Sequence, residues 1–328
     1  MTMPLSTSST AKQFEECGYA VLKELLDPQD DLNALHVEYS ALLDTLASRW
    51  HAEGILPSAY QELELGDRFT MVLGKMHPSC LQYFDITLPK NQITEETPVH
   101  LGPAVFHLIR NPRLLDAVES IIGAEVYSNP MQRVRIRPPQ HLLSKEHSKA
   151  LAAATPWHQD LGAVLPEADN SDMLTVWVPM TEATPENGCL LLIPGSHKGG
   201  LLPHSTSVPG TKQQAALHIP DEFVDGRKAV AVPLSPGDVL FLHRNTLHAS
   251  LPNLSAGTRW SFDLRYNPMG QPTGRPVFPG FIARSRRRPE QELSDPGAWA
   301  QLWIDCRKRL AGTRSLRFYR WDAMVAIS

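Results

Sequence analysis

The spacing of apolar and polar positions divides the chain into a helical first third and a strand-rich middle. Residues 14–26 open the fold, with Gly18 placed to stop a short first helix, and the Ser/Thr-rich residues 1–10 read as a flexible tail. Between Pro28 and Gly54, Leu32, Leu35, Leu42, Leu43, Leu46 and Trp50 recur at helical spacing among polar neighbours, which predicts one amphipathic helix. A second helical block covers 103–123. It is interrupted at Asn111-Pro112, where Asn can cap and Pro can take the first helical position, and it stops at Gly123.

From Glu125 onward the pattern changes to short apolar runs separated by Pro, Gly and Asn, as expected for strands of a sheet or barrel. Runs 173–180 and 189–193 flank Thr184-Pro185-Glu186-Asn187-Gly188; Asn-Gly supplies the positive-φ residues of a tight turn, so the two runs are expected to pair as a hairpin. Residues 238–248 and 259–266 are expected to form a further pair, joined across 252–257. In the later run Arg259, Ser261, Asp263 and Arg265 share one face and Trp260, Phe262, Leu264 and Tyr266 the other. Such a strand is a barrel wall, polar towards a site and apolar beneath helices. Residues 295–311 predict a last helix, with Trp299, Leu302, Trp303, Cys306 and Leu310 on one stripe, covering the barrel. Without an internal repeat or long linker, residues 11–328 are expected to form a single catalytic domain: a helical part 11–124, a core 125–268 and a C-terminal lid and helix 269–328. The fold class is mainly β with flanking helices.

Composition narrows the function. At 328 residues and 42% apolar content a substantial core is available, and a net charge of -4 gives no reason to expect nucleic acid as the partner. Cys17, Cys80, Cys189 and Cys306 lie far apart without C-x-x-C spacing, so neither a zinc knot nor a disulfide framework is expected. Residues 1–12 lack a basic-then-apolar leader and no apolar run reaches membrane-spanning length. A cytoplasmic protein without a membrane span is expected, acting on a small molecule and compatible with a homo-oligomer.

The most informative stretch is Trp157-His158-Gln159-Asp160, answered later by His248 and Arg259. On an extended strand His158 and Asp160 project to one face while Gln159 points away. One imidazole and one carboxylate need only a second imidazole to make the facial triad of non-haem Fe(II) oxygenases, which leaves three positions for a bidentate 2-oxo acid and dioxygen. A planar guanidinium such as Arg259 can donate two parallel hydrogen bonds to a carboxylate and stays charged when buried.

The chain resembles the phytanoyl-CoA dioxygenase family of Fe(II)- and 2-oxoglutarate-dependent oxygenases from about Phe14 to Tyr266. Trp157-His158-Gln159-Asp160 looks like the family's iron-binding strand, and Asn187-Gly188-Cys189 through Ile193-Pro194-Gly195-Ser196-His197-Lys198-Gly199 like its hairpin and following loop. Gly237-Asp238-Val239-Leu240-Phe241 leading to His248-Ala249-Ser250 looks like the segment of the distal iron histidine, with Arg259 placed to hold the far carboxylate of 2-oxoglutarate. The resemblance implies a double-stranded β-helix, a cupin-like jelly-roll barrel with helices outside, and a centre that uses Fe(II), 2-oxoglutarate and O2. His158, Asp160 and His248 would be the metal ligands and catalytic centre. Asp160 favours hydroxylation, because halogenating relatives lack this carboxylate.

Other residues carry less specific expectations. Ser250 could add a hydroxyl donor to the cosubstrate carboxylate, and Trp177, sharing a face with Thr175, resembles the family's tryptophan beside the cosubstrate, with plain core packing the competing reading. Arg133, Arg135 and Arg137 alternate onto one strand face. Arg133 matches a family position beside the cosubstrate, Gln132 takes its place if the register slips by one, Arg135 could meet an anionic substrate, and Arg137 is expected in solvent. His243 is read as structural, Arg284-Ser285-Arg286-Arg287-Arg288 as a solvated loop. The aromatic residues Phe278, Phe281, Phe318, Tyr319 and Trp321 fit a lid or a core equally. The alternatives are a catalytically silent jelly-roll binding protein, a metal hydrolase on a related barrel, or the same centre acting as desaturase, cyclase or epimerase.

Overall fold

A computed structural model describes residues 7–143, 154–207, 214–313, 318, 320 and 321. Helix α1 (Thr7–Cys17) already includes residues 7–10, which the sequence placed in the tail, and ends at Gly18. Gly18 has φ +78°, and a Cβ there would lie 2.4 Å from His197 Nδ1, so the turn into strand β1 (Tyr19–Leu22) needs glycine. The helical part therefore holds a strand. Its short alternation gains meaning only through pairing with a distant partner, β9 (Val239–His243).

Helix α2 (Asn33–Ala52) matches the predicted stripe, α3 (Leu65–Leu73) was not legible, and α4 (Pro103–Ile109) and α5 (Pro112–Ile122) are separated as expected. Asn111 caps α5 by accepting from Leu114 N, and Gly123 follows its end at φ +91°. The remaining strands are β2 (Glu125–Ser128), β3 (Arg133–Arg137), β4 (Leu174–Pro179), β5 (Leu190–Leu192), β6 (Ser205–Ser207), β7 (Gln214–His218), β8 (Val230–Val232), β10 (His248–Ser250), β11 (Arg259–Pro268) and β12 (Phe281–Ser285). Among the described residues no helix is long and apolar enough to cross a membrane.

Two antiparallel sheets make the barrel. The larger runs β1-β9-β4-β11-β2-β12, with β3 also on β11; the smaller runs β10-β5-β8, and β6 pairs with β7. Two expected pairings fail. β4 and β5 do not form a hairpin: the turn at Asn187-Gly188 is present, with Gly188 at φ +92° and Cys189 N on Thr184 O, but it carries the chain from one sheet to the other. Likewise β11 pairs with neither β9 nor β10; β4 lies between β9 and β11, while β10 joins the small sheet. Alternation specifies which face is buried and leaves the partner open. The sheet also continues past residue 268, because β12 pairs with β2.

The faces of β11 follow the prediction. Trp260 and Phe262 pack against Tyr39 of α2, Trp260 also meets Phe69 of α3, and the Tyr266 hydroxyl donates to Ile109 O. Trp177, Leu190, Leu192, Leu240 and Leu242 fill one end of the space between the sheets. The last helix, α6 (Pro296–Leu310), buries Trp299, Trp303, Cys306 and Leu310. Leu302 is exposed, off the stripe expected of it. Trp299 packs on Phe106 of α4 and Trp303 on Phe278, so α6 extends the helical layer outside the large sheet. Phe281 also meets Phe106, Phe318 packs on Phe278, and Tyr319 lies outside the described residues. Of Arg284–Arg288, Arg284 departs from a solvated loop, its largely buried side chain pairing with Asp116 and Glu119 on α5, whereas Arg286, Arg287 and Arg288 are exposed as expected, Arg286 also pairing with the same two carboxylates. The four cysteines are free thiols.

Candidate active site

The predicted extended segment at His158 is a single antiparallel bridge to His248, and Asp160 begins a 3-10 turn (Asp160–Ala163). The parity still holds through Gln159. Its fully buried side chain donates to Gly200 O and Asn245 O and accepts from Leu202 N, pointing away from the two flanking side chains and pinning surrounding loops. The strand ends because Gln159 N bonds to His204 Nε2 and Leu161 N to Arg244 O, which leaves no ladder to continue.

The bridge brings His158, Asp160 and His248 together, with one ligand atom of each inside a 4.8 Å span. The imidazole centroids are 4.1 Å apart. Each Nδ1 faces a backbone carbonyl, Pro156 O at 2.9 Å from His158 and Thr246 O at 3.0 Å from His248. Donation to those oxygens holds both rings in the tautomer whose Nε2 lone pair is free. The two Nε2 atoms each stand 4.0 Å from an Asp160 oxygen, the first from Oδ1 and the second from Oδ2. Two neutral nitrogens and an anionic oxygen converging on one point are the donor set of a non-haem iron centre with an open face.

Asp160 is held by residues to which the sequence reading gave no role. Arg265 Nη2 donates to Oδ1 at 2.6 Å, its Nη1 donates to Met131 O at 2.8 Å, and Thr175 Oγ1 donates to Oδ2. Arg265 lay on the face of its strand read as polar towards a site, and Thr175 shared a face with Trp177, so alternation was the available signal. Burial works to raise the Asp160 carboxyl, but Arg265, the two histidines and Thr175 hold it well below the usual carboxylate range. Arg265→Leu should cost the metal-free protein about 3–5 kcal/mol in urea unfolding, since it strands a buried carboxylate; a loss under about 1 kcal/mol contradicts that pairing.

Beside the triad a narrow pocket is lined by Arg259, Trp177, Ser250, Thr175 and Arg135, among others. Arg259 is only 2% exposed. Its Nη1 donates to Ser261 Oγ at 3.1 Å, its guanidinium carbon lies 5.6 Å from the Trp177 ring centre, and its buried Nε has no acceptor. Burial pulls the group down to about 10, although Asp263 opposes the shift. A buried guanidinium with an orphaned donor and no carboxylate bonded to it, next to a metal-type donor set, fits one end of a dicarboxylate. The Ser250 hydroxyl accepts from Thr155 N at 2.8 Å.

A larger cavity of about 560 Å3 opens onto His158 and Asp160 and is lined along one wall by β3. Arg133 lines this cavity rather than the narrow pocket and pairs with Asp85; Gln132 lies beside it, buried, donating to Ser128 Oγ and Asn129 O. The β3 residue at the narrow pocket is Arg135, which pairs with Asp263 at 3.0 Å. Arg137 is half-buried against Thr155 Oγ1 at 3.0 Å instead of solvated, because β11 and the 154–156 segment enclose it.

The phytanoyl-CoA dioxygenase family profile matches residues 14–261, three-quarters of the chain. The chain belongs to this family of non-haem iron, 2-oxoglutarate-dependent oxygenases. It is 28% identical over 164 residues to a probable phytanoyl-CoA dioxygenase of Caenorhabditis elegans, covering 50% of this chain and 51% of that protein, so the match spans about half the relative's length. It is 27% identical over 261 residues to the 1-deoxypentalenic acid 11-beta-hydroxylase of Streptomyces exfoliatus, covering 78% and 87%. Among solved structures, the apo form of the non-heme monooxygenase ThoJ superposes with a TM-score of 0.53 at 21% identity, covering 92% of this chain and 97% of that one. That likeness supports the double-stranded β-helix fold.

His243 stays outside the His158-Asp160-His248 cluster: it packs between Phe14 and His197, and its Nδ1 accepts from Asn245 N. His204 lies behind the metal segment, stacked on Trp321. Burial pulls His204 and His243 down to about 4, and burial together with His248 pulls His158 down to about 3. The unfolded chain therefore binds more protons than the folded one between about pH 6.5 and these values. Stability of the metal-free protein is fully present above that window and falls as pH drops through it. Urea midpoints should decline steadily from pH 7 to pH 4.5; a flat profile would contradict the buried neutral histidines.

Proposed function

We propose that the protein is an Fe(II)- and 2-oxoglutarate-dependent dioxygenase that hydroxylates an unactivated C–H bond of a small metabolite and releases succinate and CO2. The observation that carries this reading is the His158-Asp160-His248 cluster beside the buried, carboxylate-free Arg259. His158 Nε2, His248 Nε2 and the Asp160 carboxylate would hold the iron, which with its cosubstrate supplies the oxidising power drawn from O2.

The chain's own residues do the positioning. Pro156 O and Thr246 O each engage an Nδ1 and so turn both Nε2 atoms towards the metal position. Arg265 and Thr175 fix the Asp160 carboxylate from behind. Arg259 takes the distal carboxylate of 2-oxoglutarate, Trp177 packs over its guanidinium, and the Ser250 hydroxyl faces the same pocket. Arg133 and Gln132 line the substrate side of this reading rather than the cosubstrate end. A cytoplasmic location accords with four free thiols. The test is substrate-independent turnover: with Fe(II), 2-oxoglutarate, O2 and ascorbate as the reductant that takes the place of the substrate, the protein releases CO2 and succinate above the level of His248→Ala. Equal release by both proteins, with metal bound to the wild type, overturns the proposal.

A further inference from the structure

The backbone itself holds the two histidines of the triad: His158 and His248 exchange N–H···O bonds at 3.0 Å across their bridge. Asp160 stands outside that ladder, at the start of the turn Asp160–Ala163. Side chains from distant parts of the chain hold this turn instead. The carbonyls of Leu161, Gly162, Ala163 and Val164 each accept one donor from them. Arg320 Nη2 reaches Leu161 O at 3.2 Å and its Nε reaches Val164 O at 3.1 Å; Trp321 Nε1 reaches Gly162 O at 2.8 Å, and Arg275 Nη2 donates to Ala163 O.

Arg320 is itself fixed, with its side chain 9% exposed and paired with Asp169. Trp321 acts a second time. Its ring stacks on His204 with centroids 5.5 Å apart, and His204 Nε2 accepts from the N–H of Gln159, the residue between the two ligands. His204 sits so close to the turn that a Cβ on Gly162 would lie 2.4 Å from its ring. Arg320 and Trp321 therefore grip the backbone on both sides of Asp160, yet neither lines the chamber or the narrow pocket. Groups that orient a ligand from behind set metal affinity without touching the metal.

We propose that Arg320 and Trp321 are positioning residues for the metal centre, holding the Asp160 carboxylate in place against the two imidazoles so that a divalent ion meets all three donors at once. The proposal rests on the oxygenase reading. Calorimetric titration of Mn(II) into the metal-free full chain tests it. Arg320→Leu and Trp321→Ala should each weaken Mn(II) binding by about tenfold, and Trp321→Phe, which keeps the stack but loses the indole donor, should restore part of the loss. Trp299→Leu, on the outer helical layer, is the control for stability alone: it should unfold at lower urea with Mn(II) affinity within about twofold of wild type. Coupling is reciprocal, so saturating Mn(II) should slow hydrogen exchange in the wild-type segment carrying Arg320 and Trp321 by the same factor, a measurement that needs no variant to fold. Wild-type Mn(II) affinity in both Arg320→Leu and Trp321→Ala, an equal loss in Trp299→Leu, or exchange unchanged by Mn(II) overturns the proposal. Failure of the Mn(II)-loaded wild type to take up 2-oxoglutarate overturns the oxygenase reading instead, while the same titrations still decide the positioning role.

Discussion

Asp160→Ala is expected to lose iron binding at the centre and, with it, succinate formation to background. The substitution removes the anionic ligand and leaves Arg265, whose side chain is 6% exposed and paired with that carboxylate at 2.6 Å, as a positive charge aimed at the vacated site. A stranded buried ion costs about 3–5 kcal/mol, so the variant should also unfold at lower urea. Asp160→Asn keeps the shape and still lacks the charge, and it should fail to bind iron while folding better. Adding Arg265→Leu to Asp160→Ala should recover stability without recovering metal, which separates the structural from the chemical loss. Iron content after chelator competition is the readout. Wild-type iron affinity in Asp160→Ala would contradict the assignment of this carboxylate.

Arg259→Ala is expected to raise the 2-oxoglutarate concentration needed for half-saturation by roughly 30-fold to several thousandfold, the equivalent of about 2–5 kcal/mol for truncating one member of a buried charge pair. Iron affinity without cosubstrate should change little, because Arg259 has no hydrogen bond to the triad: its Nη1 bonds to Ser261 and its face lies against Trp177. Arg259→Lys should recover part of the loss, since an ammonium keeps the charge and gives up the two-pronged geometry. Anaerobic binding isotherms for 2-oxoglutarate measure the effect. Unchanged affinity in Arg259→Ala would place the distal carboxylate elsewhere.

The barrel wall at β11 and the cap of α5 were legible because each rests on local chemistry. Arg259, Ser261, Asp263 and Arg265 face inward through strand alternation, and Asn111 caps α5 through its own side chain. The partners of β4 and β5 were not legible, because their residues are buried on whichever sheet receives them and the turn at Gly188 allows either a hairpin or a change of sheet. The iron ligands could be named because the motif and its spacing resemble a known family. Their support could not: Arg265 sits 105 residues from Asp160 and Thr175 15 residues from it, and nothing local marks either as its partner. Arg133 and Arg135 show the same limit. Both point inward, yet only the positions of Asp85 and Asp263 decide which reaches the narrow pocket beside the triad.

The most direct test of the central claim is an anaerobic titration of the metal-free protein with Fe(II) and 2-oxoglutarate, followed by visible absorption. A metal-to-ligand charge-transfer band that saturates at one iron and one cosubstrate per chain, and that is missing in His158→Ala, is the predicted result. A folded wild-type protein with no band at saturating iron and 2-oxoglutarate would contradict the iron-oxygenase account.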